Sequence, residues 1–297
     1  YRIHLPETHG GAIRLDFFEP LPDTENVRRG TAYMNPVSGN LLGLRVFGEA
    51  WINTLYSLHS GLILGRAGIA AAGLIGLVLG LLPLLGLWLW THHDGRPWRE
   101  SLTPQRGWRG LRRLRNWHRA LGAWAALPLL LAALTGFGLA FPETVREWAR
   151  PWMAEPETGL HPGPATPGLA AAMARAEALV PGFRTVWIDL PLAGSKEPTA
   201  LILRPADGSL SGPAIAETSP ALGKAMQVTR ASDVETLRAW IMALHNGHAM
   251  GLGHRLFVVA LGLAPAALGV LGWLAWRRRQ RARQRAQAPG MMGQTSG

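Results

Sequence analysis

The chain has 297 residues, no cysteine, and a formal net charge of +11 on a sequence that is 48% hydrophobic. The lack of cysteine excludes disulfides, thiolate metal sites, iron–sulfur clusters and covalently attached c-type haem, whose attachment needs Cys-x-x-Cys-His. Any metal must therefore be held by His or carboxylate. The charge is concentrated, with eight arginines between His92 and Arg119 against Asp94 and Glu100, and six more after Trp276 with no acid. Both clusters abut long apolar runs, which is the positive-inside pattern of a membrane protein rather than the spread basic surface of a nucleic-acid binder.

In chain order, residues 1–50 read as a polar module outside the membrane. It closes on "TAYMNPVSGNLLG" (Thr31 to Gly43), a strand, a Gly-containing turn and a strand. The chain opens at Tyr1 in a polar region without a signal-like segment, so a preceding helix is expected upstream. Residues 51–91 read as a transmembrane helix, 92–117 as a basic cytoplasmic loop, and 118–141 as a second transmembrane helix. A second outer module over 142–240, a third transmembrane helix over 241–276 and a basic cytoplasmic tail over 277–297 follow. The apolar runs run from Ala67 to Trp90, Leu121 to Phe141 and Leu256 to Trp276, each near the roughly 20 residues a span needs. Trp88, Trp90, Trp117, Trp273 and Trp276 stand at their ends, as an interfacial aromatic belt does. In the second module, Pro156 to Pro167 reads as a linker, "LAAAMARAEALV" as a helix, and "RTVWIDLPL" and "TALILRP" as strands.

An internal repeat organises these elements. Leu58, His59, Gly61, Gly65, Gly76, Gly86 and Trp90 match Leu244, His245, Gly247, Gly251, Gly262, Gly272 and Trp276 at one constant offset. Upstream, "NPVSGNLLG" (Asn35 to Gly43) matches "RPADGSLSG" (Arg204 to Gly212) as a second strand–turn–strand copy. The fold class is thus a mainly α membrane protein, a transmembrane bundle of which four helices are expected and three present, with small α+β modules on the outer side.

The histidines carry the chemistry. Ionisable residues near membrane spans are functional candidates, although a lone histidine at a helix end more commonly bonds headgroups or backbone. The repeat sets His59 and His245 apart, because symmetry-related helices place equivalent residues facing each other, as axial ligation of a b-type haem by two imidazoles requires. His118 opens the second span and shares a stripe with Gly122, Leu129 and Gly136, so small residues near the imidazole leave room for a flat macrocycle. Close helix packing is the alternative use of these glycines, and is the better reading of Gly61-x-x-x-Gly65 and Gly247-x-x-x-Gly251. On a continuous helix His248 shares the face of His245, while His254 lies opposite and either ligates a different group or lines the bundle. His92 and His93 read as snorkelling interfacial residues, or as ligands of an inner haem. His4, His9 and His161 have no distinguishing context.

The motifs "LHSGLILGRAG" (Leu58 to Gly68), "WHRALG" (Trp117 to Gly122) and "LHNGHAMGLGHR" (Leu244 to Arg255) resemble the PepSY-associated transmembrane family, and the hairpin at Thr31 to Gly43 is similar to the end of a PepSY module. The resemblance covers nearly the whole chain. It implies PepSY-like periplasmic modules on a haem-carrying four-helix bundle at the bacterial inner membrane, as in ferric-siderophore reductases of the ferrioxamine type. It further implies two haems b per full-length chain, ligands among His59, His245, His118, His248 and His254, and a ferric siderophore as substrate. No dinucleotide fingerprint or phosphate loop is present, so the electron donor is a separate cytoplasmic protein or quinol. Two alternatives stand beside this reading: a non-catalytic anchor whose PepSY modules bind or inhibit a periplasmic partner, and a metal transporter lined by the same histidines.

Overall fold

The computed structural model describes residues 1–6, 10–20, 27–48, 50–93, 102–104, 107–163, 168–191, 195–218 and 225–287. His9, most of the basic segment over 94–106 and the end of the tail lie outside the described residues. In chain order the elements are β1 (Arg2–His4), β2 (Ile13–Pro20), β3 (Val27–Met34), β4 (Leu41–Val46), α1 (Trp51–Gly61), α2 (Gly65–His93), α3 (Gly110–Ala140), α4 (Pro142–Ala149), β5 (Thr158–His161), α5 (Leu169–Leu179), β6 (Phe183–Asp189), β7 (Thr199–Pro205), β8 (Ala214–Thr218), β9 (Met226–Thr229), α6 (Asp233–His245) and α7 (Gly251–Gln287). They form two compact units, Tyr1–Ala72 with Gly138–Ala243, and Gly73–Phe137 with Leu244–Gly297.

The first unit is built on one antiparallel sheet of nine strands, in the order β4-β3-β2-β1-β6-β7-β8-β9-β5. Alternation in β6 and β7 sends Ile188, Leu201 and Leu203 to one face, where they are buried with Ala214, Ala216, Met226 and Val228. Helix α5 covers this face, and its alanines 172 and 176 let the helix approach closely. The two outer modules expected at 1–50 and 142–240 meet edge to edge: β1 pairs with β2 on one side and with β6 on the other, placing Arg2 opposite Asp189 and His4 opposite Trp187. Arg2 donates to both carboxylate oxygens of Asp189 at 2.6 and 2.8 Å, and this partner raises the guanidinium pKa above its ordinary value.

The repeated hairpins are present. The meanders β2-β3-β4 and β6-β7-β8 flank β1, and their turns contain Gly39 at φ +71° and Gly208 at φ +76°. Asn35 Oδ1 accepts from the amides of Val37 and Ser38, and Asp207 Oδ1 from the amide of Ser209, so each turn is fastened by an Asx-type bond. That bond lowers the Asp207 pKa. One reading is corrected here, because the stretch read as a linker contains β5, which pairs with β9 and closes the far edge of the sheet. Four residues between prolines 156 and 162 are too few to show a strand period, and proline is tolerated beside an edge strand.

Among the described residues, three helices are long and apolar enough to cross a membrane: Gly65–His92, Gly110–Ala140 and Gly251–Arg285. The three expected spans are these, although α3 begins at Gly110, so His118 lies two turns inside the helix rather than opening it. Leucines 81, 82, 127 and 263 are exposed along these helices, and Trp88, Trp273 and Trp276 at their ends, which suits a chain solvated by lipid. Within the second unit α2 approaches α3 at Gly80, where a Cβ would come within 2.8 Å of the Ala133 Cβ.

The 51–91 and 241–276 segments are each two helices rather than one. Between α1 and α2, Leu62 and Ile63 adopt φ of +50° and +61°, and Gly65 opens α2 at +61°. Between α6 and α7 the chain turns over 246–250, with Gly247 at φ +76° and Gly251 at +68°. The copies match in detail: a Cβ on Gly61 would meet Ile69 Cγ1 at 3.1 Å, and one on Gly247 would meet Arg255 Cα at 2.8 Å, with residues 69 and 255 related by the repeat. These glycines therefore make helix breaks, which corrects their reading as packing motifs.

Candidate functional site

Two imidazoles of the second unit are held by hydrogen bonds at Nδ1. His118 Nδ1 lies 3.0 Å from the carbonyl oxygen of Leu268 in α7. A carbonyl only accepts, so Nδ1 carries a proton, and in the neutral ring the lone pair resides on Nε2. The ring reaches this carbonyl across Gly272, where a Cβ would stand 3.6 Å from His118 Cε1.

His245, the last residue of α6, is arranged likewise. Its Nδ1 lies 3.0 Å from Thr135 Oγ1 on α3. The Thr135 hydroxyl donates backward along its own helix, to Leu131 O at 2.8 Å with Ala132 O at 3.1 Å, leaving its oxygen to accept from the imidazole. With the hydroxyl proton given to the helix carbonyl, Nδ1 of the neutral ring donates to Thr135 Oγ1 and Nε2 holds the lone pair. Thr135 is 6% exposed, in a helix otherwise apolar at that level. Gly136 beside it makes room for the ring, since a Cβ there would lie 3.1 Å from His245 Cε1.

A neutral imidazole whose Nδ1–H is bonded to an oxygen, with Nε2 directed elsewhere, is the form in which histidine ligates a metal. Thr135 follows His118 by 17 positions in α3, about 26 Å along the axis at roughly 1.5 Å per residue. The two rings thus occupy two levels and cannot hold one iron. Among the described residues no three His, Asp or Glu side chains gather as a bare cation would need. A haem would need fewer protein ligands than a bare cation, and each of these imidazoles, seated beside a glycine, would supply one of them.

The remaining candidates separate. His59 is an exposed residue of α1, three positions before the helix break. His248 does not share the His245 face, because the helix ends at His245 and residue 248 is exposed in the turn. The same break removes the phase argument that put His254 opposite His245. His254 sits in the first turn of α7, and its Nδ1 is buried without a hydrogen-bond partner among the described residues. Of the two glycines on the His118 stripe, Gly122 faces Leu268, where a Cβ would stand 3.7 Å from Cδ2, and Gly136 lies beside the ring of His245. His92 packs on Trp88 with ring centroids 5.1 Å apart and bonds the Trp88 carbonyl, so it is an interfacial residue tied to its own helix. His4 pairs with Asp16 at 2.9 Å within the sheet, and His161 lies on β5.

Sequence reasoning missed Thr135 and took Gly272 only as a repeat position. The signal for Thr135 was a lone hydroxyl in the apolar run of α3, where a polar side chain needs a partner. No curated protein matches the chain. The family described as PepSY-associated TM region matches residues 4–279, nearly the whole length, and the chain belongs to that family.

Proposed function

We propose that the protein is a haem-containing reductase of the bacterial inner membrane that delivers electrons to a ferric siderophore on the periplasmic side, releasing Fe(II). The observation that carries this reading is the pair of imidazoles on separate levels of one helix bundle, each with Nδ1 held 3.0 Å from an oxygen. Haem, when bound, supplies a reversible one-electron couple. His118 and His245 each hold a ligating nitrogen at a fixed orientation. Their supports, the Leu268 carbonyl and Thr135, keep the rings from rotating. His59 enters as the repeat equivalent of His245 and His254 for its buried Nδ1, as candidates for the further axial positions.

Orientation follows from the arginines, which stand between α2 and α3, in the first turns of α3 and after Trp276, at the ends that positive-inside topology assigns to the cytoplasm. The sheet then faces the periplasm, where a chelate is met. Reduction suits iron release because hard oxygen ligands hold Fe(III) far more firmly than the less charged, softer Fe(II).

The test uses purified protein reduced with dithionite and freed of excess reductant under anaerobic conditions. Addition of a ferric tris-hydroxamate chelate is expected to reoxidise it, with Fe(II) appearing in a ferrous-specific indicator in proportion to the reoxidised protein. Protein that stays reduced in the presence of ferric hydroxamate, catecholate and carboxylate chelates contradicts the reading.

A further inference from the structure

We infer that Thr135 is a positioning residue that sets the basicity of the His245 imidazole and thereby the potential of the haem it holds. The inference rests on the haem reading above and concerns a residue which that reading does not itself require.

Thr135 is buried on α3, and its Oγ1 stands 2.8 Å from Leu131 O and 3.0 Å from His245 Nδ1; with its proton on the Leu131 side, the oxygen accepts from Nδ1–H. An oxygen that has given its proton to a carbonyl is a better acceptor, because hydrogen bonds in a chain polarise one another. Electron density is drawn toward the imidazole Nε2, which makes it a stronger donor to iron and favours the ferric state. His118 has the same arrangement, but its acceptor is the backbone carbonyl of Leu268, which no side-chain substitution can remove. Of the two supports, Thr135 is therefore the one a sequence change can tune. Gly136 completes the device: a side chain there would press on His245 Cε1 and displace the ring from the hydroxyl.

The experiment is a potentiometric titration followed optically on the whole protein, comparing wild type with Thr135→Val, Thr135→Ser and His245→Ala. The component missing from His245→Ala identifies the reporter. Valine keeps the shape and removes the acceptor, so the midpoint of the reporter is expected to rise in Thr135→Val and to stay at the wild-type value in Thr135→Ser. Thr135→Ala, which also lacks the hydroxyl, carries the same expectation if the valine variant does not accumulate. An unchanged midpoint in the variants without a hydroxyl overturns the role of Thr135 while leaving haem ligation intact. A serine variant that shifts as far as valine overturns it too, since packing of the methyl group would then be responsible. If His245→Ala keeps every spectral component, the haem reading itself has failed at this residue, and the inference with it.

Discussion

Purified His245→Ala protein is expected to lose one haem component from its absorption spectrum while keeping the other, and His118→Ala to show the complementary loss. The reason is geometric. The rings lie at levels of α3 about 26 Å apart, too far for either to serve the other's iron. Each is anchored by its own acceptor, Thr135 for His245 and the Leu268 carbonyl for His118, so removing one leaves the other's support untouched. Alanine offers no nitrogen, and loss of an axial ligand is a loss of binding rather than a modulation. His248→Ala is the control, because residue 248 is exposed in the turn after α6, and its spectrum is expected to match wild type. His59→Ala tests the repeat directly. If the two copies act as a pair, it removes the same component as His245→Ala; loss of a different component, or of none, breaks that pairing. A His245→Ala spectrum indistinguishable from wild type would remove His245 from the site.

Gly247→Ala is expected to be the most damaging of the conservative changes in the second unit. Gly247 has φ +76°, a region that costs an L-residue about 1–2 kcal/mol. A Cβ there would also lie 2.8 Å from Arg255 Cα and 3.1 Å from its amide nitrogen, so the backbone of the first turn of α7 must move. Strain and overpacking together suggest a loss of about 2–4 kcal/mol. Gly262→Ala is the control, since nothing lies within 4 Å of a Cβ at that helical position. It should be neutral or stabilising by about 0.5–1 kcal/mol, the ordinary helix preference for alanine. Thermal unfolding in detergent, followed by tryptophan fluorescence, separates the two: a Gly247→Ala midpoint equal to that of Gly262→Ala would show that the break between α6 and α7 is not glycine-dependent. Because His245 precedes this break by one residue, the same variant is expected to weaken the His245 haem component.

The spans, the arginine topology and the repeated hairpins were legible because each rests on a local signal: about 20 apolar residues, charge beside them, or a Gly-containing turn between strands. The helix α5 and strands β6 and β7 were likewise legible from short periods. The breaks at Leu62–Leu64 and over 246–250 were not, although Gly61, Gly65, Gly247 and Gly251 had been noticed. A Gly-x-x-x-Gly pair within an apolar run reads equally as a packing face, and positive φ at Leu62 and Ile63 has no sequence signature. That error carried into the histidines, since helical phase across a break is meaningless, and it placed His248 on a face it does not occupy. Strand β5 is too short to show its period, and the β1–β6 pairing joins residues 187 apart in sequence, which no local pattern encodes. Thr135 is a long-range matter of the same kind, as its partner lies 110 positions away.

Among these experiments the most direct concerns the cofactor itself. Protein purified from membranes of haem-replete cells is to be assayed by the pyridine haemochrome method and by a reduced-minus-oxidised spectrum. The imidazoles at 118 and 245 predict b-type haem, approaching two per chain, with a Soret band that shifts on dithionite reduction. Folded, monodisperse protein that is colourless after such expression would contradict haem ligation at both positions, and leave a membrane anchor carrying a nine-stranded sheet.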